Sequence, residues 1–101
     1  MALDLYDATG KELLYSIDDA GLTALEPIFL TYQHWTGIPI DPYADGRLSQ
    51  ENAATLIRII DQWALTERLE IDRPRTIEIL SFRGILNYFI LRKTDLLLRG
   101  D

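Results

Sequence analysis

"RTIEILSFRGILNYFILRKT", Arg75 to Thr94, is the stretch on which the fold of this chain turns. Coiled as a helix, it sets apolar residues on nearly every side: Ile77, Ile79, Leu80, Phe82, Ile85, Leu86, Tyr88, Phe89 and Leu91. A helix apolar all round belongs in the middle of its domain. The same residues could also form two strands that fold back at Arg83-Gly84. Length favours the helix and β-branched content favours the strands. The reading taken is a single central helix over 76–93, with the strand pair as the alternative.

The segments around it are plainer. "TERLEIDRP", Thr66 to Pro74, ends the preceding helix, and Pro74 suits the opening position of the central one. In that preceding helix Ala53, Leu56, Ile57, Ile60, Trp63 and Ala64 make an apolar stripe, with Ser49 as N-cap and Glu51 in the first turn. Further upstream Leu25, Ile28, Phe29, Tyr32 and Trp35 make a second stripe. Asp18 or Asp19 caps its start, Thr23 with Glu26 can form an inner capping box, and Gly37 suits the position just past its end. Pro27 makes the first turn of that helix irregular if the helix has run for more than a turn before it.

Near the N-terminus Leu3 and Leu5, then Leu13, Tyr15 and Ile17, alternate on either side of "DATGK", whose Gly10 can take positive φ. This is a hairpin. "DLLLR", Asp95 to Arg99, is a last strand beside it. The expected fold is therefore α+β: a small, mostly antiparallel sheet, made of the N-terminal hairpin and the C-terminal strand, packed with about three helices.

One domain is expected at 101 residues, and an apolar share of 48% supplies a core without staples. Absence of cysteine excludes disulfides, thiolate chemistry and cysteine-held zinc. The opening "MALDLYD" lacks a basic segment before an apolar run, and the uncharged apolar stretch Gly84 to Leu91 is too short for a bilayer. A cytoplasmic protein without membrane contact is the expectation. The net charge of −6 lies wholly in residues 1–50, where eight acids face only Lys11 and Arg47. Residues 51–101 balance at eight and eight. Such a field repels phosphate backbones, which argues against nucleic acid, and favours a basic partner. Its other reading is solubility alone.

Catalytic signatures are absent. Ser16, Ser49 and Ser81 lack a nucleophile-elbow context, and no glycine-rich loop could cradle phosphate. His34 is the only histidine and has no partner at ligand spacing; near a helix C-terminus it suits the dipole. Trp35, Trp63, Tyr32 and Tyr88 read as core aromatics. Arg73-Pro74-Arg75 reads as a solvated basic turn, and the closing Arg99-Gly100-Asp101 as chance.

Between two helices runs "TGIPIDPYADGRLS", Thr36 to Ser49. Counted from Asp41, it places Asp45 and Gly46 as an EF-hand calcium loop would. Tyr43 and Asn52, however, stand where that loop needs its third and twelfth-position oxygen ligands, so neither a metal nor a cofactor is expected. Pro39 and Pro42 stiffen the segment, and Asp41-Pro42 and Asp45-Gly46 are turn pairs. Ile38 and Ile40 can tuck beneath it while Tyr43 lies above. A rigid acidic loop with an aromatic suits docking, because little order is lost on binding. The expected partner-binding residues are Asp18, Asp19, Asp41, Tyr43 and Asp45, with catalytic residues none.

The order of hairpin, helix ending "YQHWTG", "IPIDPYADGRLS", helix and final "LLLRGD" resembles small bacterial immunity-type proteins of polymorphic toxin systems. The segment Thr36 to Asp45 carries it most specifically. The resemblance implies a non-enzyme that neutralises a cognate toxin domain by occlusion, the toxin often being a basic nuclease or other effector. It implies no particular contact residues, because such interfaces differ from pair to pair. A second expectation is a small self-associating or adaptor domain, possible as a homodimer if the apolar third helix is a seam. A small enzyme or calcium-regulated domain ranks last.

Overall fold

Gly10 adopts φ 72°, closing the turn that joins β1 (Leu3–Tyr6) to β2 (Leu13–Ile17). Inside that turn the Thr9 hydroxyl donates to Asp7 at 2.6 Å, which holds the Asp7 carboxyl below its usual range. The computed structural model describes residues 3–66 and 72–100. Within them the chain continues through α1 (Asp19–Thr36), β3 (Gly46–Leu48), α2 (Gln50–Thr66), α3 (Arg73–Leu91) and β4 (Leu96–Gly100). The strands form one sheet in the order β2-β1-β4-β3, with every neighbouring pair antiparallel. The α+β class, the hairpin, the last strand beside it and the three helices are as the sequence leads one to expect. β3 is an addition, a three-residue strand inside the stretch read as a connector. The end of α2 expected over 67–71, and the last residue of the Arg99-Gly100-Asp101 tripeptide, lie outside the described residues.

One face of the sheet is covered. Leu3, Leu5, Ile17, Leu48, Leu96 and Leu98 are buried and alternate with residues of the other face. A register shift between Leu5 and Tyr6 sets Leu13 opposite Tyr6, so Leu14 bulges out of the ladder. On the uncovered face Ser16 donates to Asp4 at 2.6 Å, and the Arg99 guanidinium lies 5.0 Å from the Tyr6 ring centre.

Each helix start has a cap. Asp18 accepts from the Gly21 N–H at 2.8 Å, Ser49 from Asn52 at 3.1 Å and Asp72 from Arg75 at 3.1 Å. The Thr23–Glu26 capping box does not form, because α1 already begins at Asp19. The Thr23 hydroxyl donates instead to the Asp19 carbonyl at 3.0 Å. Pro27 sits inside α1 without breaking it, and the first turn is regular. Gly37 ends α1 in the left-handed conformation at φ 74°, its N–H on the Gln33 carbonyl at 2.7 Å.

α3 is a helix and not a strand pair, but it is not buried on all sides. Ile79, Phe82, Leu86 and Phe89 point inward, and Phe82 meets Phe29 of α1 edge to face at 5.7 Å. Ile77, Leu80, Tyr88 and Leu91 remain exposed by 63%, 43%, 46% and 73%. The reason is layer count: α3 packs against α1 and α2, so only the stripe that faces them is covered. Tyr88 is turned about 200° from Leu86 around the helix axis, which takes it out of the core. Trp35, on the edge of its stripe in the last turn of α1, is also exposed, and Trp63 is half-buried beneath the Arg75 guanidinium. Arg73 and Pro74 belong to the first turn of α3 and not to a loop. Arg83 grips Asp61 through Nε at 2.8 Å, tying α3 to α2 at the surface.

Candidate functional site

After Gly37 the chain turns back along α1. The Asp41 carboxylate accepts from the Tyr43 N–H at 2.9 Å, and the Asp41 carbonyl accepts from Ala44 at 3.1 Å, so Asp41 to Ala44 is a closed turn. This turn lies on the end of β4. A Cβ at Gly100 would stand 2.5 Å from the Ala44 nitrogen and from the Pro42 oxygen, so only glycine admits so close a backbone. Because Leu3 pairs with both Gly100 and Ile17, the turn and the start of α1 sit at the same end of the sheet.

The returning segment encloses a groove of about 470 Å³ against α1. Leu22, Phe29 and Ile40 contribute apolar surface, and Asp19, Glu26 and Tyr43 line it as well. Among the described residues no basic side chain lines it. Tyr43 is 67% exposed, so its ring is offered to solvent and not packed over the loop. Of the two isoleucines read as tucked beneath, Ile40 packs partly on the core and Ile38 is exposed.

The five residues expected to meet a partner take different places. Asp19 and Tyr43 share the groove. Asp18 stands one residue before Asp19 as the cap of α1. Asp41 is exposed, but one of its oxygens is committed to the turn. Asp45 is exposed immediately before β3. On the surface Arg47 pairs with Asp95 and Arg83 with Asp61. Glu26 was read as a capping partner; its place seven residues after Asp19, on the same side of a helix, is the signal that sets it in the groove.

A wider groove of about 810 Å³ runs on the other flank of α1, against the start of α3. Gly21 lets α1 come close to both β2 and α3, since a Cβ there would lie 2.7 Å from the Ile17 side chain and 3.1 Å from the Glu78 carboxylate. Glu78, in this second groove, accepts from the Tyr15 hydroxyl at 3.3 Å. Burial first, and then the Glu78 charge, push the Tyr15 phenol above its ordinary value of 10.0.

No group of three or more metal-ligating side chains is found among the described residues, and no helix among them is long and apolar enough to cross a membrane. Comparison with family models, with curated proteins and with solved structures finds no match.

Proposed function

We propose that this chain is a non-enzymatic, immunity-like binding protein that neutralises a cognate bacterial toxin by occlusion, using the groove between α1 and residues 40–43. The observation that carries this reading is the grouping of Asp19, Glu26 and Tyr43 around apolar surface, on a turn held against Gly100. The negative lining at Glu26 and Asp19 favours a lysine or arginine, and the exposed tyrosine adds apolar area at low entropic cost. The acids at this end of the sheet, Asp18, Asp19, Glu26 and Asp41, steer a basic partner towards the groove, while Asp7 and Glu12 lie at the β1–β2 turn.

The test is co-expression with the toxin domain of an adjacent reading frame, followed by binding kinetics on the purified pair. Wild type protects growth. The double variant Asp19→Lys/Glu26→Lys slows association about tenfold or more at low salt and flattens its salt dependence. Tyr43→Ala speeds dissociation instead. Protection and kinetics that ignore all three changes overturn the assignment of this groove.

A further inference from the structure

We propose that the outer face of α3 pairs with the same face of a second copy of this chain, antiparallel, on a two-fold axis beside Gly84. The face is self-complementary in spacing. Leu80 and Tyr88 stand four residues either side of Gly84, and Ile77 and Leu91 stand seven either side. Ser81 and Asn87, three residues either side, repeat the pattern with one hydroxyl and one amide. In a two-fold pairing residue i of one copy meets the height of its mirror position on the other. Ile77 then stands level with the second copy's Leu91, Leu80 with its Tyr88, and Ser81 with its Asn87.

Gly84 is the second observation. Glycine is the costliest residue in a helix interior apart from proline. Its φ is not positive, and a Cβ built on it meets nothing within 4 Å, so the single chain has no packing reason for it. A backbone arriving from outside supplies that reason, since a glycine at the crossing point lets two helices approach closely. None of the seven positions named carries a charge that pairing would strip of water. Arg92 lies over the Tyr88 ring at 5.8 Å, at the rim, and Arg83, next to Gly84, is turned to Asp61 on α2.

The area fits a second copy. The exposed parts of Ile77, Leu80, Tyr88 and Leu91 amount to roughly 400 Å² per chain, so pairing removes about 800 Å² before the rim is counted. With the flanking residues this approaches the span of about 1,200–2,000 Å² found in stable pairs. Ile77 also lines the wider groove beside α1, which gives the end of the second copy's helix a place to seat.

Sedimentation velocity over a concentration series is the test. Wild type is expected at twice the single-chain mass of 11.6 kDa. Gly84→Leu is expected to weaken association at least tenfold while circular dichroism keeps its helical signal and the melting temperature of the dilute protein does not fall. Because the chain has no cysteine, Gly84→Cys is expected to form a disulfide-linked pair under mild oxidation, where Leu13→Cys on the sheet does not. The double variant Asp19→Lys/Glu26→Lys leaves the association intact, so this inference and the groove reading fail separately. Wild type at the single-chain mass throughout, a Gly84→Leu variant that pairs as well as wild type, or equal cross-linking at Gly84 and Leu13 would each overturn it.

Discussion

Beside α1, Asp19 and Glu26 stand among Leu22, Phe29 and Tyr43; on the outer side of α3, Leu80 and Tyr88 flank Gly84 with no charge between them. Both surfaces expose apolar area, but they treat water differently. On the groove proposal the negative lining draws a cation, so recognition there would depend on charge and on salt. The α3 face offers only area and shape, so its recognition is insensitive to salt and sensitive to a single added side chain. On the two proposals together, one chain of this size would offer one surface to a different, basic molecule and another to a second copy of itself.

The largest effect expected lies within α3, between its two sides. Phe82→Ala, which empties a fully buried site against Phe29, should cost about 3–5 kcal/mol. Leu80→Ala on the outer side should cost only about 1 kcal/mol in dilute protein, where no second copy is bound. Urea unfolding measures both, and equal losses would erase the distinction between inner and outer sides.

A smaller effect separates the adjacent acids at the mouth of the groove. Asp18 caps α1, so Asp18→Ala should lower stability by about 1 kcal/mol. Binding of the basic partner should change little, since Asp19 and Glu26 remain. A variant of unchanged stability but lost binding would move Asp18 from the cap into the recognition surface.

The smallest concerns the polar contact on the far flank of α1. The folded state raises the Tyr15 phenol above 10.0, so it favours the neutral ring. That contribution is whole below pH 10 and is lost as pH rises through the higher folded value. Tyr15→Phe should therefore unfold over a shallower alkaline slope. Tyr32, which burial also raises, keeps part of the slope in both proteins. Identical alkaline slopes would mean that neither the burial of Tyr15 nor its contact with Glu78 persists in solution.

Much of the fold is legible in the sequence because its signals are local. Caps, the Gly10 turn, the Gly37 stop and the stripes of α1 and α2 each depend on residues a few positions apart. What was not legible depends on contacts distant in sequence. β3 has three residues, too few for an alternating pattern, and it exists because Leu48 finds Leu96 across the ladder. The pattern of α3 is apolar on every side, so nothing local tells inner from outer; the answer comes from where α1 and α2 lie. In the candidate site, Asp19 and Tyr43 were named for their chemistry alone. What brings them together is the close approach at Gly100, fifty-odd residues away, which no spacing within the loop announces. Glu26 was missed as a groove residue because its helical spacing also satisfied a capping pattern.

The most direct measurement is a titration of isotope-labelled protein with a basic amphipathic peptide of alternating arginine and leucine, followed amide by amide by nuclear magnetic resonance. The account predicts shifts centred on Asp19, Glu26, Ile40 and Tyr43 that fade as salt is added, with Leu80 and Gly84 unmoved. Shifts centred on α3, or a peptide that leaves the groove amides still at low salt, would contradict it.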